Sequence, residues 1–326
     1  MKVLATGGAG YVGSVVTEAL ILAGHDVTVL DDFSKGHREA IHTAARWVGC
    51  DLTDRAAAME AVVEAEPELV VHLAAETTID ESTRDPGRFF LKNVGGGINL
   101  LDAMVVAGAR GIIFSSTAAT YGEPRVLPIP EGAPTQPVNS YGESKLAFER
   151  ILPWYESAHG IKHISLRYFN ACGATDLFGE DHRPETHILP LLLQTVDGKR
   201  DAFRLFGDDY DTPDGTCVRD YVHVSDIAEA HLLALGRLDG VKSRIFNIGS
   251  GEGFTNLQVI ETVREVTGRE VKVARAQRRP GDPSRLVATS ELVRAELGWS
   301  PRYPDIGEIV DSAWRWHLKH PEGYSA

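Results

Sequence analysis

Thr6-Gly7-Gly8-Ala9-Gly10-Tyr11-Val12-Gly13 is the stretch on which the fold turns. It follows the short apolar run Val3-Leu4-Ala5. Val12, Val15, Val16, Ala19, Leu20 and Ala23 then recur at helical spacing, and Gly24 stops the pattern. The order is strand, glycine loop, helix. Gly7, Gly10 and Gly13 stand where a tight turn, close approach to a pyrophosphate and helix–strand packing each exclude a Cβ. The helix N-terminus adds free N–H groups and a partial positive charge. Asp31 ends the second strand, Val27-Thr28-Val29-Leu30, 18 residues after Gly13. A carboxylate there accepts hydrogen bonds from an adenosine ribose. Asp31 and Asp32 repel a 2′-phosphate, so NAD is expected over NADP, although Lys35 and Arg38 weaken that repulsion.

Outward from this loop the first half alternates strand-like and helical patterns. Buried strands are predicted at 69–73, 111–114 and 163–168, with helices at about 55–65, 86–107 and 141–157. Pro153 predicts a break or kink in the last. Such alternation specifies an α/β fold with a Rossmann-type, doubly wound parallel sheet. From about residue 173 Gly, Asp and Pro become frequent, as in Asp211-Thr212-Pro213-Asp214-Gly215, and predict long ordered loops. A helix at about 224–237 and a strand at 245–248 return to the first pattern. The predicted division is a Rossmann domain of 1–172 plus about 221–250, and a smaller α/β substrate domain of 173–220 and 251–326.

The 326 residues suit two such domains at about 150 residues each. With 33 Lys+Arg against 46 Asp+Glu the net charge is −13, which disfavours nucleic acid or an anionic membrane as partner but leaves room for a small anion held by a few arginines. No stretch reads as a membrane span, and Lys2 followed by a three-residue apolar run does not read as a signal peptide. Cys50, Cys172 and Cys217 are odd in number and scattered, which fits a reducing cytoplasm. No metal is expected: no H-x-x-x-H or acidic cluster supports one, and His72 and His223 read as packed or hydrogen-bonded.

Phe114-Ser115-Ser116-Thr117 runs from a strand into a polar loop, and Tyr141-Gly142-Glu143-Ser144-Lys145 follows. Residues four apart share one helix face. A tyrosine base must come down from a pKa of about 10, a change of about three units or roughly 4 kcal/mol. A unit charge at about 4 Å supplies about that much at an effective dielectric near 20. Lys145 is therefore expected to tune Tyr141, with Thr117 bound to the reacting hydroxyl.

TGGAGYVG at 6–13, the aspartate at 31, SSTAATYG at 115–122 and YGESK at 141–145 together resemble the extended short-chain dehydrogenase/reductase family. RYFNACGA at 167–174, FGDDYDTPDGTCVRDYVHVSD at 206–226 and RRPGD at 278–282 are similar, within it, to the 4-epimerases of UDP-hexoses. The resemblance covers essentially the whole chain. It implies Tyr141 as base, Lys145 and Thr117 as its partners, and tightly held NAD. Tyr11, Val12, Asp31, Asp51, Leu52, Leu73, Ala74, Ala75 and Phe169 then fall at cofactor positions. Asn170, His187, Ile188, Arg204, Leu205, Phe206, Arg219, Arg279, Asp282 and Leu286 fall at positions for a UDP-sugar. Arg219 and Arg279 are planar forks suited to a diphosphate, with an ion pair from Arg219 to Asp220 or Asp226 as the plain alternative. A homodimer through the 86–107 and 141–157 helices is also implied.

Four positions depart from the family pattern: Thr77, Lys92, His187 and Leu286, the last at a site that gates the sugar pocket. UDP-glucose and UDP-galactose are the expected pair, with UDP-N-acetylglucosamine or UDP-glucuronic acid as alternatives. A dehydratase of the same superfamily would carry an Asp-Glu pair after Thr117, where Ala118-Ala119 stand. A non-catalytic NAD sensor can lose the Tyr–Lys pair, which is intact.

Overall fold

The computed structural model describes residues 1–242, 244–279 and 282–324. Pro280 and Gly281 of the RRPGD segment lie outside the described residues. The strands, in chain order, are β1 (Lys2–Thr6), β2 (Asp26–Asp31), β3 (Arg46–Gly49), β4 (Leu69–His72), β5 (Gly111–Thr117), β6 (Lys162–Tyr168), β7 (Asn170–Cys172), β8 (Phe203–Phe206), β9 (Val218–Arg219), β10 (Tyr221–His223), β11 (Ile245–Ile248), β12 (Phe254–Thr255), β13 (Val273–Ala276) and β14 (Arg285–Leu286). Seven form one parallel sheet in the order β11-β6-β5-β4-β1-β2-β3. The chain winds outward from β1 to β3, crosses to β4 on the other side of β1, and winds out to β11. Neighbouring connections part between β1 and β4, opening a crevice at their C-terminal ends.

Both faces of the sheet are covered, so its inner strands are apolar without alternation. Val3, Ala5, Val27 and Ile113 pack on one face with the helices Tyr11–Leu22 and Val224–Arg237. Leu4, Leu30, Val70, Ile112 and Phe114 pack on the other with Arg55–Ala65, Gly96–Ala107 and Ser140–His159. The strand β3 has no counterpart in the sequence reading. Its Arg-Trp-Val-Gly is a mostly exposed edge, so no apolar run marks it.

The 86–107 helix is three pieces: Pro86–Phe90, a π-helical turn at Leu91–Gly95, and Gly96–Ala107. Within Pro86–Ala107 an 18-residue window reaches a mean hydropathy of 1.2, long and apolar enough by length and composition to cross a membrane, although Arg88, Lys92 and Asp102 interrupt the stretch. Burial accounts for that apolarity: Leu100, Leu101 and Met104 are fully enclosed in the core. The helix Ser140–His159 also differs from expectation, since it runs through Pro153 without a break. Phe148 and Leu152, buried just ahead of the proline, hold it to the sheet.

A third core lies beyond the sheet. Leu189, Leu192, Leu193, Phe203, Leu205, Val259, Ile260, Ile309 and Trp314 build it, from the helices Ile188–Val196, Asn256–Thr267 and Ile306–Lys319 and the β8–β13 pair. The chain re-enters the large sheet through β11. Asp220, fully buried, knots this crossing: Ser250 N and Oγ donate to its Oδ1 at 2.7 Å, and Gly251 N at 3.2 Å and Ala288 N at 3.1 Å to its Oδ2. Burial still pushes its carboxyl up to about 6.

Candidate active site

The glycine loop closes on itself and on β4. Gly7 has φ +73°, and a Cβ there would strike the backbone of Leu73 and Ala74. A Cβ on Gly13 would strike the Gly7 carbonyl, whereas one on Gly10 would find its nearest neighbour at 3.4 Å. Gly10 caps the helix Tyr11–Leu22 with no side-chain hydrogen bond, so the first-turn N–H groups of Tyr11, Val12 and Gly13 have no side-chain cap. Leu73, Ala74 and Ala75, half-buried, run beside the loop; Leu73 N and Ala74 N donate to Thr6 O at 2.9 and 3.0 Å. Asp31 accepts from Ala9 N at 3.0 Å through Oδ2 and from Phe33 N at 2.9 Å through Oδ1, and burial raises its pKa. Each oxygen keeps a lone pair for a ribose hydroxyl. The cradle without Cβ atoms, the uncapped N–H groups and this carboxylate fit NAD.

Other expected cofactor residues divide. Val12 is half-buried, and Phe169 lies beside β11 with its N–H donating to Ile248 O at 3.2 Å. The Tyr11 hydroxyl donates to Gly173 O at 2.6 Å, which commits it to the protein. Leu52 is turned into the core. Asp51 and Asp32 both accept from Lys92, a contact the sequence reading did not contain.

Thr117 ends β5, and Tyr141 opens the helix whose N-cap, Asn139, accepts from Gly142 N at 2.8 Å. Gly142 is packed against the Ala119 carbonyl, where a Cβ would need 2.6 Å. That close approach brings the phenol to Thr117, whose hydrogen bond lowers the phenol's pKa; burial outweighs it and leaves Tyr141 above its ordinary value. Lys145 is 3% exposed. Its Nζ donates to Ser115 O at 2.9 Å and stands 4.9 Å from the Phe114 ring centre, and burial brings it down to about 7. Among the protein's own groups, burial and Thr117 set the Tyr141 shift. Spacing of four sets a shared face but not the direction of the amine, which here serves a backbone carbonyl. His72 is buried and neutral, held down to about 3 by burial and then by Lys145, with its Nδ1 2.7 Å from Thr6 Oγ1.

One turn further on the same face, Glu149 takes a bidentate pair from Arg167 and a hydrogen bond from Ser116. This buried set fixes the catalytic helix to β5 and β6, and the sequence reading missed it. The spacing Tyr141, Lys145, Glu149 was its available signal.

On the other side of the crevice, Arg219 pairs with Asp282, not with Asp220 or Asp226. Arg204 and Arg279 lie over the Phe206 ring at 5.2 and 4.1 Å. Phe206 and Arg204 reach solvent, while Leu205 is buried in the third core and offers no side chain. Asn170 Nδ2 donates to Asp220 O at 3.3 Å. Leu286, half-buried, pairs with Arg219 in the β14–β9 register and packs partly on the core. Ile188 starts its helix, and His187 is the N-cap residue. His187 Nδ1 lies 2.7 Å from Glu180 and 2.8 Å from Glu185, and although burial opposes it these two carboxylates raise the imidazole's pKa.

Glu180, His182, Glu185 and His187 bring one ligand atom each within 4.8 Å of one another, a cluster the sequence reading did not find. Its spacings are those of ion pairs, and Glu185 Oε1 already accepts from Thr186 N, His187 N and His187 Nδ1.

A glycine-cradled dinucleotide crevice facing a threonine–tyrosine–lysine set defines a nucleotide-cofactor enzyme of the short-chain reductase type. The family model for the NAD dependent epimerase/dehydratase family matches residues 3–249, and the chain belongs to that family. Within it, the chain is similar to the UDP-glucose 4-epimerase of Lacticaseibacillus casei, 50% identical over 99% of both chains. A crystal structure of a UDP-glucose 4-epimerase superposes with a TM-score of 0.96 at 45% identity, covering 99% of each chain. The Bifidobacterium longum UDP-glucose 4-epimerase, crystallised with NAD+ and UDP, gives 0.95 at 32% identity, covering 99% of this chain and 100% of its own.

Proposed function

We propose that the chain interconverts UDP-glucose and UDP-galactose by inverting carbon 4 of the hexose. The observation that carries this reading is the Thr117–Tyr141 pair at the C-terminal end of β5, on the same sheet edge as the cradle between β1 and β4. Bound NAD supplies a reversible two-electron oxidation at carbon 4. Tyr141, as the phenolate that the positive charge of bound NAD+ would favour, takes the proton of the 4-hydroxyl and returns it after the 4-keto sugar has turned over. Thr117 holds that hydroxyl on the phenol. Lys145, fixed on the Ser115 carbonyl, would hold the ribose on the nicotinamide side of bound NAD. Arg219 and Arg279 hold the diphosphate, Phe206 packs on the uracil, and Asp282 accepts from its ribose. Arg219 must then leave its pair with Asp282 at least in part. The proposed division of labour gives NAD to 1–172 and about 221–250, and the nucleotide sugar to 173–220 and 251–326.

The chain incubated with UDP-galactose and no added NAD should yield UDP-glucose by chromatography. A 4-keto-6-deoxy product would indicate a dehydratase, and no conversion a cofactor sensor. Leu286, shorter than tyrosine, is proposed to leave room for an N-acetyl group. Leu286→Tyr should suppress turnover of UDP-N-acetylglucosamine selectively; equal loss on both substrates would show that the gate lies elsewhere.

We also propose a cytoplasmic homodimer. Cys50, Cys172 and Cys217 are buried and unpaired, which suits a reducing compartment. Leu91, Val106 and Trp154, 59%, 64% and 75% exposed, lie on the two implied interface helices. Sedimentation at micromolar concentration showing monomer alone would remove the dimer.

A further inference from the structure

Lys92 bridges two acids at one end of the crevice. Its Nζ donates to Asp32 Oδ2 at 2.9 Å and to Asp51 Oδ2 at 2.7 Å. Asp32 follows Asp31, whose carboxylate holds the glycine loop. Asp51 lies just beyond β3, which pairs with β2 up to Asp31–Gly49, and Cys50 N donates to Asp31 O at 3.0 Å. Both acids therefore flank the position of the adenosine. Lys92 itself comes from the π-helical turn Leu91–Gly95, across the crevice. The next residue, Asn93, accepts from Glu76 N at 2.8 Å and donates to Ser144 Oγ at 2.9 Å, beside Lys145 on the catalytic helix. The π turn thus ties the adenosine end to the catalytic helix through two consecutive residues. A π turn inserts one extra residue into a helix and is frequent at functional sites.

We propose that Lys92 is a latch on the adenosine side of the crevice, closing β2 and β3 onto the π turn and slowing the release of NAD. The inference rests on the NAD reading above. Lys92 is a positioning residue: it holds Asp32 and Asp51 and is not required to touch the reacting atoms. Partial burial opposes the charge on Lys92, yet the two carboxylates raise its pKa. The pair stays charged across the neutral range and responds to salt. A partly exposed ion pair is screened by salt and contributes modestly.

The test compares the full-length parent with Lys92→Met and Lys92→Arg. Each is loaded with NAD, passed through a desalting column, and followed for NAD release by nicotinamide fluorescence after reduction. Lys92→Met should release NAD about three- to tenfold faster, because two partly exposed contacts are lost. Lys92→Arg should restore slow release, which a merely structural role for the aliphatic stem would not require. Raising salt should speed release from the parent and leave Lys92→Met nearly unchanged. Equal release rates for parent and Lys92→Met, or a Lys92→Met defect that arginine does not repair, would overturn the latch. A parent that binds no NAD in titration would overturn the NAD reading and the latch with it. Melting curves without NAD that match for all three forms show that the variants fold.

Discussion

The two walls of the crevice are made of different material. The wall proposed for the pyrophosphate is backbone: Gly7 and Gly13 close on carbonyls and amides, uncapped N–H groups open the first helix, and the Asp31 side chain holds the loop. The wall proposed for the sugar nucleotide is side chain: Arg204, Arg219, Arg279, Phe206 and Asp282 stand on short strands and loops and are already engaged with one another. A backbone wall is rigid and intolerant, because a single methyl has nowhere to go. A side-chain wall can rearrange to admit a ligand and loses affinity by degrees.

The sharpest way to break this contrast is to add one methyl to the cofactor wall. Gly13→Ala should abolish NAD retention and destabilise the fold by about 1–3 kcal/mol or more, since its Cβ meets the Gly7 carbonyl. Gly10→Ala, with 3.4 Å to its nearest protein neighbour, should keep the fold and lose NAD retention alone, because its Cβ would stand where the pyrophosphate approaches. Gel-filtered protein assayed for bound NAD and for urea unfolding decides; equal effects would mean that the cradle is not backbone-limited.

Tyr141→Phe comes next. Turnover should fall at least about 10²-fold with NAD content unchanged, because one hydroxyl is removed between the walls without touching either. Near-normal turnover would take the base away from Tyr141.

Lys145 offers a titration. Its amine falls to about 7 in the fold against 10.5 when exposed, so between these values the unfolded chain binds the extra proton. Stability should therefore rise with pH from 7 toward 10.5, by at most about 1.4 kcal/mol per unit from this group. Lys145→Met should flatten that slope and gain on the parent as pH falls from 10 to 7, in melts without NAD. Parallel curves would show that the amine is solvated. The smallest effect is expected on the other wall: Arg279→Ala should raise KM for the UDP-sugar about three- to tenfold, through loss of one diphosphate contact and its stacking on Phe206, with little change in kcat.

The difference in material also explains what could be read in advance. Glycines at 7, 10 and 13 and an acid at 31 announce themselves, because backbone geometry restricts residue type at each place. The inner strands were legible as apolar runs, while β3 was not, its exposed edge carrying no such run. Tyr141 and Lys145 could be placed on one helix face from their spacing, but the direction of the amine is set by the Ser115 carbonyl, which no spacing encodes. The partners of Arg219 and Arg279 were likewise not legible. They depend on how loops some 60 residues apart in sequence come together, as Arg219 and Asp282 do, 63 residues apart. The π turn beneath Lys92 was read as plain helix, since its extra residue leaves the apolar pattern of 86–107 almost unchanged.

The late arrival of β11 has a consequence for a chain still being made. When Tyr168 leaves the ribosome, six of the seven strands exist, and β6 presents a bare edge of seven residues with its backbone groups unpaired. Its partner begins at Ile245. At about 5–20 residues per second that edge stays open for roughly 4–15 seconds. An open edge, with its row of unpaired N–H and C=O groups, is a template for pairing with a neighbouring nascent chain. Yield at high expression is then governed by translation speed through 169–245 and by whatever shields that edge, and slower translation of this segment should lower it.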